Sequence, residues 1–280
     1  MQLGFFDRTK GGRLIVTGRD RKDLLHRLAT SSIEGLQPGE GISTCFCTSK
    51  GRMIDWCVVL DRGDDLLVLS ANPERLAGHI QQYTIAEDVT VRNYMAIEVV
   101  VCGMRAKDLL GVDLELSCFT EVAIAGVKVQ AVRIPPLAGD AYSLLAPDAV
   151  ALRRLLGEQG ESLLPPDVER LRIRAGIPAF PNEINELHNP WEAGLADSIS
   201  LTKGCYIGQE VIARLDTYEK VKRKLVSLRL ESGGLRGEPV RENGADVGEL
   251  TTVSGDIALA YVNADSGPEY ERAVAVDTPF

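Results

Sequence analysis

The stretch LTKGCYIGQEVIAR, residues 201–214, carries the densest chemistry in the chain and sets how the rest is read. Lys203, Gly204 and Cys205 are consecutive, and Gly208, Gln209 and Glu210 follow after only Tyr206 and Ile207. Glycine lets a backbone bend or approach a neighbour closely, and a cation beside a thiol favours the thiolate. Residues 203–210 therefore read as a structured loop, with Lys203 and Cys205 as a candidate reactive pair. Just upstream stand RIRAGIP at 172–178 and NPWEAGL at 189–195, where a proline-limited loop carries Trp191 and Glu192.

Working outward, residues 14–16 form a short apolar strand, and Asp20 caps a helix with Leu24, Leu25 and Leu28 on one face. Residues 39–47 and 52–60 read as a β-hairpin. If it closes symmetrically around Ser49 and Lys50, Cys47 faces Arg52, Cys45 faces Ile54 and Cys57 faces Ile42. Cys45 and Cys47 then share a face with Ile54 and Trp56, while Cys57 points the other way with Met53 and Asp55. That separation disfavours a three-cysteine metal site, and no metal is expected.

Asn72 and Pro73 supply the cap and first-turn proline of a helix lined by Leu76, Ile80 and Tyr83. Asp167 caps another helix, which Gly176 and Pro178 end. Strands and helices mix without strict alternation, which predicts an α+β fold and not a doubly wound parallel sheet. From Lys224 onward, glycines at 233, 234, 237, 244 and 255 split short strands with no helical periodicity. This predicts a small C-terminal β-barrel. The expected division is a region of two subdomains at residues 1–217 and the barrel at residues 218–280.

With 280 residues, 45% of them hydrophobic, the chain has material for about two domains. A formal charge of -9 opposes broad attraction to nucleic acid or anionic membrane, so no direct nucleic-acid or membrane partner is expected. The basic run KVKRK at 220–224 reads as the solvated face of a strand. No window has the roughly 18 consecutive apolar residues of a membrane span, and residues 1–10 lack a secretory pattern, which predicts a cytoplasmic protein. Six cysteines without framework spacing are expected as reduced thiols.

The motifs at 172–178, 189–195 and 203–210 together resemble those of the YgfZ-type folate-binding proteins, relatives of the glycine-cleavage aminomethyltransferase, or T-protein. A lone KGC would mean little, whereas separate motifs in the family's order carry the resemblance. It covers essentially the whole chain and is weakest at about 96–137. It implies an aminomethyltransferase-like fold of mixed sheets and helices ending in a β-barrel, with tetrahydrofolate or a one-carbon derivative as cofactor. In that family the position of Glu192 holds the acid that grips the pterin. The chemistry agrees, because a carboxylate accepts the adjacent ring N–H and amino group of a pteridine in a fork. Arg214 stands where relatives carry an arginine, and suits folate's anionic tail. Tyr83 and Trp191 offer flat surfaces for the ring, although a core aromatic is the simpler account of each. Lys203 and Cys205 are not needed to bind a pterin. The resemblance implies for them a second task in iron-sulfur cluster assembly or repair, with iron-sulfur proteins or assembly factors as partners and an indirect effect on tRNA-modifying enzymes.

One departure bears on activity. Aminomethyltransferases carry Gly-Gly-x-x-Asp-Asp on the hairpin, whereas this chain reads Gly51-Arg52-Met53-Ile54-Asp55-Trp56. Asp55 is no substitute for the missing second aspartate, since neighbours on a strand point to opposite faces. The loss removes the obvious general acid/base for one-carbon transfer. Two functions follow: a tetrahydrofolate-binding accessory protein for cluster assembly, favoured by Trp56, or a folate-dependent one-carbon transferase or demethylase.

Overall fold

The structure is a computed structural model. It describes residues 1–280 apart from 125, 148–149, 219, 232, 267–268, 271–272 and 276–280. The chain begins with β1 (Gly4–Asp7), β2 (Gly12–Thr17), α1 (Arg21–Leu28), β3 (Gly41–Cys47), β4 (Met53–Asp61), β5 (Leu66–Ser70), α2 (Pro73–Tyr83) and β6 (Thr90–Asn93). An antiparallel sheet forms in the order β3-β4-β5-β2-β6. Its central strands β4, β5 and β2 carry apolar residues on both faces, which is why both faces are covered there. Leu14, Val16, Leu66 and Val68 meet α1 and α2 through Leu24, Leu25, Leu28, Leu76 and Ile80. The alternate residues Ile15, Leu67 and Leu69 meet Val132 and Leu145 of the next sheet.

That second sheet adds β7 (Ile97–Cys102), β8 (Phe119–Ile124), β9 (Val127–Ile134), β10 (Ala141–Ala146) and β11 (Glu161–Ser162), around α3 (Ala106–Leu110) and α4 (Val150–Gln159). Its order is β11-β1-β7-β10-β9-β8, antiparallel except where β1 pairs with β11. Val99 and Val101 pack on Leu152 and Leu156 of α4. Val100 and Cys102 turn instead towards Val168 and Leu171 of α5 (Pro165–Arg174). Mixed sheets with helices on their outer faces make an α+β architecture, as the sequence predicts.

After α5 the chain runs through loops and a 3-10 turn, Ala196–Ser198, to α6 (Gln209–Thr217). The third sheet follows: β12 (Arg223–Leu230), β13 (Pro239–Glu242), β14 (Ala245–Ser254), β15 (Ile257–Asn263), β16 (Glu269–Tyr270) and β17 (Ala273–Ala275). The order is β13-β14-β15-β12-β17-β16, and the sheet curls until its outer strands β13 and β16 lie side by side, with no ladder across that seam among the described residues. Ile257 and Leu259 rest on Ile173 of α5.

Three local expectations change. Asp20 and Asn72 make no side-chain cap bond, and the carboxylate of Asp20 accepts the Asp88 N–H instead. Asp167 is the third residue of α5, where it accepts the Leu164 N–H, one turn inside the start. The β3–β4 hairpin closes on Thr48 and Arg52, and an extra residue, Ile54, bulges between Met53 and Asp55. Cys45 therefore faces Trp56 and Cys47 faces Met53, while Cys57 faces Thr44. The bulge moves Met53 to the face of Cys45 and Cys47, and Ile54 to that of Cys57. The expected separation of Cys57 from the other two thiols survives.

Candidate functional site

The hairpin makes one wall of the site. Cys45, Cys47, Met53 and half-buried Trp56 pack with Trp191, Tyr206, Ile212 and Tyr261 in a core joining all the surrounding loops. Trp56 Nε1 donates to the hydroxyls of Ser43 at 2.8 Å and Ser198 at 3.0 Å. Its neighbour Asp55 points away, fully buried, accepting from the Ser70 hydroxyl and the Ala71 N–H. Burial pushes the Asp55 carboxyl up to about 7, although those bonds pull it down. The wall thus presents an indole, not a carboxylate.

The opposite wall is the loop carrying His188, Asn189, Trp191 and Glu192. It is fixed from both sides, since the Met53 N–H donates to the His188 carbonyl and the Leu225 N–H to the Glu192 carbonyl, each at 2.9 Å. Glu192 is 7% exposed. Its Oε2 accepts the Asn189 N–H at 3.1 Å, and the Asn189 side-chain oxygen accepts the Glu192 N–H in return. Arg52 stands 3.5 Å and His188 Nδ1 3.8 Å from the same oxygen. Oε1 has no hydrogen-bond partner among the described residues. Burial would raise the Glu192 carboxyl, but His188, the Asn189 N–H and the Arg52 charge hold it below the ordinary range. It is a buried carboxylate kept ionised, with one oxygen free.

Two other polar atoms here lack partners. His188 Nδ1 and the Tyr206 hydroxyl are buried without hydrogen bonds. The His188 ring stacks on Tyr261 at 3.6 Å and 16°, and the Tyr261 hydroxyl donates to the Glu183 carbonyl. Trp191 Nε1 donates to the Ile212 carbonyl at 3.0 Å, anchoring α6 to the site.

The Lys203 loop behaves differently. The Lys203 ammonium donates to the backbone carbonyls of His26, Ala29 and Ser31, closing the C-terminal end of α1. An ammonium has three hydrogens, and all are engaged, which leaves none for a thiolate. Burial draws the group down to about 8. The expected Lys203–Cys205 pair is therefore corrected: Lys203 is a helix cap. Cys205 is exposed, whereas Cys45, Cys47, Cys57 and Cys102 are buried and Cys118 is half-buried. Gly208 has φ +83°, and a Cβ there would sit 2.6 Å from the Thr48 carbonyl oxygen, so close approach to the hairpin turn requires glycine. Gly204 has open space around it and no such need.

Two more expected residues lie elsewhere. Arg214 is exposed on α6 and pairs with Glu210, one turn earlier. Tyr83 packs against the α1–α2 core, edge-on to His79 at 5.1 Å. Neither touches Glu192. Sequence reasoning missed His188 and Arg52, and also Glu183, which is fully buried and accepts from Arg172, the Ala179 N–H, Thr251 and Thr252. Glu183 thereby bolts the RIRAGIP segment to β14. For His188 the available signal was its place four residues before Glu192.

Open depressions occur at Asn182, Arg236 and Thr252 (480 Å³) and at Arg62, Asp65 and Glu121 (430 Å³), and neither reaches Glu192. Among the described residues no group of His, Cys, Asp or Glu is arranged to hold a metal ion, and no helix is long and apolar enough to cross a membrane.

Comparison with known proteins agrees with the fold. The chain is 28% identical to a chloroplastic transferase of Arabidopsis thaliana over 90% of its own length and 63% of that protein's. It is also 28% identical to the aminomethyltransferase of Geobacillus kaustophilus, over 94% of this chain and 80% of that one. The glycine cleavage system aminomethyltransferase T of Bartonella henselae superposes with a TM-score of 0.79 at 17% identity, covering 94% of this chain and 78% of that chain. Because residues 1–203 match the GCVT N-terminal domain, the chain belongs to that family, within the glycine-cleavage T-protein superfamily.

Proposed function

We propose that the protein binds a reduced folate through Glu192 and acts as a folate-dependent one-carbon transferase or demethylase. The carrying observation is the buried, ionised Glu192 carboxylate with its unpartnered Oε1. Such a group suits the paired N–H donors of a pterin. The residues present fit the cofactor further: Trp191 and Trp56 provide flat rings, and the Tyr206 hydroxyl waits without a partner. Folate would supply the nitrogens that accept the one-carbon group. The chain would orient the pterin and shield it from water. That relatives are aminomethyltransferases supports this class of chemistry. Trp56 argues that the substrate differs from theirs, because the indole occupies the wall where the resemblance places an acid.

A second reading is the YgfZ-type accessory role in iron-sulfur cluster assembly or repair. The KGCYIGQE stretch supports that subgroup, and the exposure of Cys205 leaves its thiol accessible to a partner. An assay with tetrahydrofolate separates the two, offered with an aminomethyl-loaded carrier and, separately, with small methylated amines. The transferase reading expects turnover of about 1 s⁻¹ or above with one of the amines and far slower reaction with the carrier. Binding without turnover on any donor would leave the accessory role.

A further inference from the structure

Resting on the folate reading of Glu192, we propose that His188 is the positioning residue of this site, engaging Glu192 Oε2 through Nδ1 so that Oε1 is presented to the ligand. The His188 ring has little freedom: it is stacked on Tyr261, and its own carbonyl is held by the Met53 N–H. Within that clamp Nδ1 is sealed from water, has no hydrogen bond, and lies 3.8 Å from Oε2. A shift of about 1 Å brings it to hydrogen-bond distance. Nε2 makes no hydrogen bond among the described residues and is not among the buried unpartnered atoms, so it is the ring nitrogen open to solvent.

A carboxylate that accepts from one ring nitrogen fixes the tautomer and orientation of an imidazole, and the imidazole reciprocally fixes the carboxylate. The Asn189 N–H holds Oε2 from one side, and His188 holds it from the other against the pull of Arg52. The groups facing His188 are Glu192 from its own loop, Arg52 from the hairpin and the neutral Tyr261 from β15. When His188 gains a proton at Nε2, its bond to Glu192 becomes charge-assisted, and a ligand that displaces water strengthens the pair further. Ligand affinity is therefore higher with His188 protonated than with it neutral. Glu192 is ionised in both cases, because it is held below the usual carboxylate value.

The test measures tetrahydrofolate affinity from pH 5.5 to 8.5 for wild type, His188→Gln and His188→Phe. Phenylalanine keeps the stack on Tyr261 and removes Nδ1. The expected result is an affinity about fivefold weaker at the high-pH end for wild type, and a flat, weaker profile for both variants. A wild-type profile in His188→Phe overturns the proposal while leaving the folate reading intact. Should wild type bind no folate, that reading fails, and the proposal is judged on the free protein. The chain has only three histidines, so the His188 ring signal is assignable by NMR from the single variants. Glu192→Gln shifts its pH titration if the two groups are engaged, and an unshifted titration overturns the proposal.

Discussion

The Glu192 loop and the Lys203 loop are neighbours built from equally suggestive residues, yet the fold treats their charges in opposite ways. Glu192 is buried with one oxygen held and the other free. Lys203 has all three ammonium hydrogens engaged by the end of α1. A charged residue in a motif marks a site only where tertiary partners leave part of its bonding capacity unused. By that criterion we propose the first loop as the binding element, whereas the second fastens the end of α1.

The comparison breaks most readily at Lys203. Lys203→Met strips three backbone carbonyls of a charge-assisted donor, and should lower unfolding stability by about 2–4 kcal/mol in urea titration. A variant as stable as wild type would mean that the ammonium is free for chemistry after all.

Asp55 and Trp56 repeat the contrast one strand position apart, and pH exposes it. The folded Asp55 carboxyl titrates near 7, above an aspartate in the unfolded chain, so between about 4 and 7 the native state holds a proton that the unfolded state has lost. Stability must fall as pH rises through that window, by on the order of a few kcal/mol. Asp55→Asn removes this slope, so the variant gains on wild type between pH 4 and pH 8. Parallel stability curves would show that Asp55 is ionised in the native protein.

The smallest effect concerns Cys205. Limiting alkylation near neutral pH should label it first, because it is the exposed thiol and burial raises Cys45, Cys47 and Cys57 far above the ordinary range. Lys203→Met should leave the labelling rate unchanged while the protein stays folded. A slowed rate would restore the reactive pair.

These contrasts also show where sequence reading reaches its limit. The α+β class was legible because strands such as residues 14–16 and helices such as the one carrying Leu24, Leu25 and Leu28 follow one another without strict alternation. Glu192 was singled out through its motif, and the structure buries it with one oxygen bonded. The hairpin register was not legible, since one bulged residue, Ile54, exchanges the faces of Met53 and Ile54 without a compositional signal. Lys203 was misread for a different reason. Its partners are carbonyls of residues 26, 29 and 31, and backbone acceptors leave no trace in the sequence. Arg214 stands at the expected motif position, but a Glu210 one helical turn away engages it. Arg52 reaches Glu192 from the hairpin, which only the fold reveals, whereas His188 stands on the same loop four residues before it.

Calorimetric titration of tetrahydrofolate into wild type and Glu192→Gln tests the central claim most directly. Glutamine preserves size but turns one acceptor oxygen into a donor facing the donors of the pterin. The account predicts binding weakened by about 1.5–3 kcal/mol, with unfolding stability changed far less. Equal affinity for the two proteins would remove Glu192 from the ligand site and contradict it.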